Sequence, residues 1–321
     1  MDKKVIIVGA GIAGVQAATS FSSKGIPCLL INGENYSPYY RMRLEEVVSG
    51  KDPESVQIHP ISWYADKNIE LIHGIVKSID RSSSCVTLLD GSKYYYSSLI
   101  LAVGSHAFSF SIPGADDITM TLRTMDDALL LRERLLDCSS IAVIGGGLLG
   151  LEAATSIKEH FDVDVSVIEN QSYILSRQID SDSSAILRSE LERRGIHIFE
   201  GVNASSYKDS NLILSSGISV KADLILLSAG VRANVTLAME SGIAIDKAIL
   251  VDEYLCTSDD NIYSIGDCAQ LEDSLFSLAL YAREQGVFVA SASTDKTIKY
   301  KPSEPSSMLK VAGIDISFFG I

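Results

Sequence analysis

The sequence predicts an α/β fold made of two Rossmann-like dinucleotide-binding units, and three observations predict it. The first is a glycine-rich fingerprint, Gly9-Ala10-Gly11-Ile12-Ala13-Gly14, placed directly after the apolar run Val5-Ile6-Ile7-Val8. The second is another copy 136 residues further on, Gly145-Gly146-Gly147-Leu148-Leu149-Gly150, after Ile141-Ala142-Val143-Ile144. The third is order: after each fingerprint come a helix, a strand, an alternating block and an apolar strand ending near glycine. In such a unit the first glycine makes the turn and the second admits a pyrophosphate to the backbone. The third lets the helix pack on the strand. The helix N-terminus adds N–H groups and the positive end of its dipole. Two copies in one chain predict two dinucleotides and electron transfer between them.

Each element follows in turn. Val5 to Val8 reads as a strand, and Ile12 to Lys24 as a helix with Val15, Ala18 and Phe21 on one face. Gly25 is the expected C-cap, and Cys28 to Ile31 the next strand. The stretch Tyr36 to Leu44 is too irregular for a strand and too aromatic for a linker. A short helix at Ile61–Lys67 precedes a strand at Ile69–Ile72. Alternation at Ile75–Ile79 and Cys85–Leu89 predicts a small antiparallel meander, followed by the apolar strand Leu99–Val103. After Pro113-Gly114 a helix at Met125–Leu136 leads into the second fingerprint. Its helix, Leu148–His160, is followed by a strand at Val163–Ile168, a helix at Asp180–Arg194 and a strand at Ile196–Phe199. Val202–Val220 alternates, and Asp223–Gly230 closes the unit. Repetition of one plan is the mark of internal duplication.

Composition excludes other classes. A chain of 321 residues suits about two domains. The net charge is −14, Lys plus Arg number 27 against 41 acids, and there is no basic run, which argues against nucleic acid. No apolar run reaches the roughly 18 residues of a membrane helix. Glycines at 9, 11 and 14 make the N-terminal apolar stretch a strand rather than a signal peptide. The five cysteines, Cys28, Cys85, Cys138, Cys256 and Cys268, are scattered and form no C-x-x-C. They predict a reducing, cytoplasmic setting without structural disulfides or a metal site.

The segment Asn261-Ile262-Tyr263-Ser264-Ile265-Gly266-Asp267-Cys268-Ala269 completes the pattern. With both fingerprints it resembles the FAD-dependent pyridine nucleotide oxidoreductases built like glutathione reductase, over residues 3 to 320. The resemblance implies two three-layer ββα domains, the second inserted in the first. FAD would occupy 1–109 with 232–296, NADH would occupy 110–231, and 297–321 would open a C-terminal interface domain that stops short. Asp267, after Gly266, would hold the ribityl chain. Leu101-Ala102-Val103-Gly104 and Leu227-Ser228-Ala229-Gly230 resemble the two crossover segments, and Val76 a further FAD contact. The helix from about Leu280 resembles the one whose N-terminus faces the flavin.

Pro38-Tyr39-Tyr40-Arg41-Met42-Arg43-Leu44 resembles the Pro-Tyr-x-Arg-x-x-Leu stretch of NADH:rubredoxin oxidoreductases, oxygenase ferredoxin reductases and nitrite reductase large subunits, with the leucine one residue sooner. Arg41 and Arg43 would then lie by the FAD pyrophosphate and flavin edge, where a planar fork suits phosphate. The cysteines that disulfide reductases and single-cysteine relatives carry are missing, so the flavin would pass electrons directly. Glu169, 19 residues after Gly150, would bond both ribose hydroxyls and repel a 2′-phosphate, which favours NADH over NADPH. Glu152 resembles the family's glutamate near the nicotinamide and is the one catalytic candidate. In the first copy Asn32 replaces the usual acid, so Asn32 or Glu34 would bond the FAD ribose.

The implied activity is electron transfer from NADH through FAD to a rubredoxin-like protein or a downstream redox domain. Two alternatives are the flavoprotein module of a nitrite reductase-like system and an NADH-sensing flavoprotein. The reading leaves room for a homodimer.

Overall fold

The computed structural model describes residues 3–295, 297–304, 306–311 and 314–319. The first part of the chain supplies β1 (Lys4–Val8), α1 (Ile12–Ser23), β2 (Cys28–Asn32), α2 (Leu44–Val48), α3 (Ile61–Asp66) and β3 (Ile69–His73). An antiparallel run follows, β4 (Val76–Asp80), β5 (Cys85–Leu88) and β6 (Lys93–Leu101), then β7 (Ser105–Ala107). The middle supplies β8 (Thr119–Thr121), α4 (Met125–Leu135), β9 (Ser140–Ile144), α5 (Leu148–His160), β10 (Asp164–Ile168), α6 (Ser181–Arg193) and β11 (Ile196–Phe199). Next come β12 (Ala204–Lys208), β13 (Asn211–Leu214), β14 (Ser219–Lys221) and β15 (Leu224–Leu227). The last part supplies β16 (Val231–Ala233), α7 (Thr236–Glu240), β17 (Ile249–Val251), β18 (Ile262–Ser264), β19 (Ala269–Leu271), β20 (Ser274–Leu275) and α8 (Ala279–Ala292). It closes on β21 (Ser306–Val311) and β22 (Ile314–Phe319).

The chain divides into two compact units. The first comprises residues 1–40, 57–106 and 232–303; the second comprises 41–56, 107–231 and 304–321. In the first unit β3, β2, β1, β6 and β18 pair in parallel in that order. The sequence places the fourth of these strands at Leu99–Val103, but β6 begins six residues earlier, at Lys93. Its opening residues pair antiparallel with β5, which pairs with β4, so one long strand serves both sheet and meander.

Alternation along β1 explains the layers, because successive side chains leave a strand on opposite faces. Val5 and Ile7 join Val15, Ala18 and Phe21 of α1 and Val289 and Ala290 of α8 in one core cluster. Ile6 and Val8 join Ile79, Val86 and Leu88 of the meander in another. Both faces of the sheet are thus covered, and a strand buried on both faces must read as a continuous apolar run. Helices α1 and α8 meet closely: a methyl group on Gly286 would stand 2.8 Å from the Ala13 carbonyl oxygen.

The second unit repeats the plan. Strands β11, β10, β9, β15 and β8 form a parallel sheet in that order. Ala142, Ile144, Ile225 and Leu227 pack against Leu212, Leu214 and Val220 of the antiparallel β12–β14 layer. Helix α2, which has no counterpart in the sequence reading, belongs to this unit and packs on α4 and α5. Strands β21 and β22 pair antiparallel, from Ser306 opposite Phe319 to Val311 opposite Ile314. Ala312, Gly313, Gly320 and Ile321, parts of the same expected interface segment, lie outside the described residues. Among the described residues no helix is long and apolar enough to cross a membrane.

Candidate functional site

The two fingerprints fold into the same turn, residue for residue. Gly9 has φ +106°, and Gly145 has φ +121°, a region that favours glycine. Gly9 N–H donates to Ile31 O at 2.9 Å, and Gly145 N–H to Ile168 O at 2.8 Å. Ala102 N–H donates to Val8 O at 2.8 Å, and Ser228 N–H to Ile144 O at 2.8 Å. A methyl group on Gly9 would overlap the Ala102 carbonyl, and one on Gly145 the Ser228 carbonyl. On Gly14 or Gly150 it would overlap the carbonyl of Gly9 or Gly145, so the third glycine is what lets helix meet turn. On Gly11 or Gly147 it would meet no atom within 4 Å. The middle glycine therefore borders open space in both copies, as close approach of a ligand to the backbone requires.

Helices α4 and α6 are capped by side chains, Thr124 in a capping box with Asp127 and Asp180 on Ser183 N–H. Helices α1, α5 and α8 begin at Gly11, Gly147 and Leu278 with no side-chain cap. The short helices α2, α3 and α7 also begin without a side-chain cap, and α1, α5 and α8 are the three helices that the sequence assigns to cofactors. The first-turn N–H groups of such ends need acceptors, and phosphate oxygens are suitable ones.

In the first unit Asn32 ends β2 and turns into its own loop. Its amide donates to Tyr36 O at 2.7 Å, and its Oδ1 accepts from Glu34 N–H at 3.3 Å. Glu34 Oε2 accepts from the Tyr39 hydroxyl at 2.6 Å. Asp267 sits in a single helical turn, Gly266–Cys268, after β18. Its Oδ2 accepts from Ser105 Oγ at 2.6 Å, a partner that sequence reasoning missed because 162 residues separate the two. Gly266 N–H donates to the buried Gln285 Oε1 at 2.6 Å, which ties this turn to α8. Gly266 also faces Ala13, 3.1 Å from a methyl group placed on it, so Asp267 and the fingerprint are neighbours. Ala102 and Gly104 follow β6, Val76 opens β4, and Ile12 and Ala13 open α1.

In the second unit Glu169 follows β10 and is 8% exposed. Its Oε2 accepts from Gly146 N–H at 2.6 Å and its Oε1 from Gln171 N–H at 2.7 Å. A carboxylate has about four acceptor positions, so each oxygen keeps capacity for a ribose hydroxyl. Leu149, in the first turn of α5, is half exposed, and Gly230 follows β15 with φ +95°. Glu152, one turn further along α5, is pushed up to about 7 by burial and by the charge of Glu45 on α2. Burial pushes Glu45 up to about 7 as well, against its own backbone N–H. Glu46 adds repulsion there, while Arg43 and Lys51 oppose it.

Arg41 and Arg43 lie in the second unit. Arg41 Nη1 donates to Arg123 O at 2.6 Å. Arg43 grips Glu46 with Nε at 2.6 Å and Nη2 at 2.9 Å, which holds the Glu46 carboxyl down to about 2. All five cysteines are free thiols, and four of them are buried. Burial pushes Cys28 up to about 12 and raises Cys138 and Cys268. Among the described residues no His, Cys, Asp and Glu side chains gather into a metal-binding cluster.

A strand-turn-helix fingerprint repeated on two separate parallel sheets defines a class of two-dinucleotide oxidoreductase folds. The chain matches the pyridine nucleotide-disulphide oxidoreductase family over residues 3–286 and belongs to it. It is 33% identical over 315 residues to an NADH-rubredoxin oxidoreductase of Clostridium acetobutylicum, covering 98% of this chain and 80% of that protein. It is 32% identical over 325 residues to the assimilatory nitrate reductase electron transfer subunit of Bacillus subtilis, covering 98% of this chain and 42% of that one. The chain thus spans less than half the length of that relative. A ferredoxin reductase structure from Rhodopseudomonas palustris superposes with a TM-score of 0.90 at 30% identity, covering 97% of this chain and 80% of that one.

Proposed function

We propose that this chain is an NADH-dependent FAD oxidoreductase that passes electrons directly to a small carrier protein of rubredoxin type. Bound FAD would supply hydride acceptance and single-electron release. The observation that carries the reading is the paired fingerprint geometry, with open space at Gly11 and Gly147 and uncapped helices behind both. The first copy would take FAD. Gly11 and α1 would receive the pyrophosphate, Asp267 the ribityl chain, and Asn32 or Glu34, which both bond within the loop after β2, the adenosine ribose. Arg41 and Arg43 remain proposed donors on the phosphate side. The second copy would take NADH, with Glu169 on the ribose and Glu152 towards the nicotinamide.

The corresponding domain assignment is 1–109 with 232–296 for FAD, 110–231 for NADH and 297–321 for an interface region. A reducing, cytoplasmic setting belongs to the same reading and is supported by the five free cysteines. The similarity to rubredoxin and ferredoxin reductases supports a carrier protein as acceptor. The Bacillus subtilis relative favours a second reading, in which this chain is the flavoprotein part of a nitrate- or nitrite-reducing system.

Stopped-flow reduction by NADH, followed by challenge with rubredoxin, ferredoxin, oxygen and nitrite, separates these readings. Fast reoxidation by rubredoxin supports the first. Reoxidation only when a downstream redox protein is added supports the second. Purified protein that carries FMN, or no flavin after reconstitution, would overturn both.

A further inference from the structure

Glu169 can govern cofactor choice only while its carboxylate stays at the strand end, where Gln171 N–H holds one oxygen and a residue of the fingerprint holds the other. Gly146 lies between the first and second glycines of the second copy. Its N–H donates to Glu169 Oε2 at 2.6 Å. A methyl group on Gly146 would stand 3.0 Å from Glu169 Cβ, 3.0 Å from Oε2 and 2.8 Å from Ile174 Cγ2. The Gly146 carbonyl accepts from Leu175 N–H at 2.9 Å, and Leu175 holds a left-handed φ of +52°. A non-glycine residue keeps such a conformation only when its surroundings enforce it. Here Ile174 N–H donates to Glu200 Oε1 at 3.0 Å, and Ser184 Oγ to Ile174 O at 2.8 Å. Ile174 is fully buried, so it has little room to yield.

The first copy is an internal comparison. The residue at the same place is Ala10, and the strand-end residue is Asn32, whose side chain bonds its own loop. Glycine at this place and an acid seated on its N–H occur together in one copy, and both are missing from the other.

We infer that Gly146 is a positioning residue for cofactor choice: its bare backbone seats the Glu169 carboxylate so that a nucleotide without a 2′-phosphate is preferred over one that carries it. The inference rests on reading the second fingerprint as the NADH site. A side chain at residue 146 must displace either Glu169 or Ile174. Displacing Glu169 weakens both its hydrogen bonds to a ribose and its repulsion of a 2′-phosphate.

The test titrates ADP-ribose and 2′-phospho-ADP-ribose into the FAD-loaded protein by calorimetry, in wild type, Gly146→Ala, Glu169→Gln and the double variant. Wild type should prefer ADP-ribose, and Gly146→Ala should lose about tenfold of that preference. Since both changes act through one carboxylate, the double variant should be little worse than Glu169→Gln alone. The NADH-to-NADPH ratio of KM should follow the binding ratio, while FAD content stays at the wild-type level. If Gly146→Ala does not fold, the same change in an Ile174→Ala background gives the methyl room and is compared with Ile174→Ala. A wild-type preference retained in the Gly146→Ala protein, equal weakening of both ligands, or additive effects in the double variant would overturn the inference alone. Wild type that holds FAD but binds neither nucleotide would overturn the site reading, and the inference with it.

Discussion

Glycine is a single residue type, yet the three glycines of each fingerprint do separable work, and substitution can tell them apart. Gly11 faces open space, so Gly11→Val should fold and lose FAD, seen as loss of the yellow colour with a near-normal thermal midpoint. Gly14→Val must push helix from turn and should unfold the first unit, a loss of several kcal/mol by overpacking and backbone strain. If Gly11→Val retained FAD at wild-type occupancy, the open space would not be the pyrophosphate site. At the second copy, Glu169→Arg replaces repulsion of a 2′-phosphate with attraction. It should reverse or erase the NADH preference, checked by flavin reduction rates with each nucleotide. Equal rates in wild type would refute the role of Glu169. The places of the glycines in the turn and of Glu169 at the strand end were legible because they follow from spacing along one strand, turn and helix. The seat of Glu169 on Gly146 and Gln171 was not, because it depends on how the 170–175 loop folds back. The choice between Asn32 and Glu34 stays open for the same reason, since both side chains bond within the loop around Tyr36 and Tyr39.

Among the elements, those whose apolar period is regular were read to within a residue or so, such as α5 at Leu148–His160. Helix α2 was not. It has five residues, too few to declare a helical period, and so short a helix is held by packing rather than by propensity. Its sequence also hides the fact that residues 41–56, α2 among them, fold with the second unit rather than with the flanking segments 1–40 and 57–106. There α2 meets α5, and Ser156 Oγ donates to Glu45 O at 3.3 Å. The carboxyls of Glu45 and Glu152 both titrate near 7 in the fold, above the ordinary 4.5. A raised folded value means that the fold favours the protonated form. The stabilisation is therefore full below about pH 4.5 and is lost as pH rises through about 7. Glu152→Gln removes one of these ionisations with little change in shape. The variant should lose less stability than wild type between about pH 5 and 8, and should be more stable at the upper end by about 1–3 kcal/mol. Thermal or urea midpoints across that range check it. Parallel profiles for the two proteins would show that the pair is not held protonated at neutral pH.

For the whole molecule, duplication is the property the sequence declared most openly. Each copy needs the same strand, turn and helix, and the structure repeats even the carbonyls that crowd Gly9 and Gly145. Duplication alone does not say how electrons leave the flavin. In this chain the thiols bear on that question. Cys28, Cys85, Cys256 and Cys268 are buried, and burial raises Cys28 to about 12, far from the thiolate form that exchanges with a disulfide. Cys268 comes nearest the candidate site, directly after Asp267, yet it is fully buried and donates to the Leu101 and Ile265 carbonyls. Cys138 is half-buried, raised by burial, and bonded to Ser140 O at 3.0 Å in the loop before β9. A thiol relay would need a cysteine that ionises readily and is exposed to a partner, and none of the five meets both conditions. Replacing all five by Ser or Ala should therefore leave NADH-to-dye and NADH-to-rubredoxin rates within a few-fold of wild type. The cost should fall on stability, on the order of 1–3 kcal/mol at each buried position, because packing is what these side chains supply. Rates are read in stopped flow, and stability by denaturant midpoint. One outcome would reverse the argument: a single cysteine change that abolishes carrier reduction while NADH still reduces the flavin at the wild-type rate. Electrons would then leave through sulfur, and the direct route from flavin to carrier would be wrong.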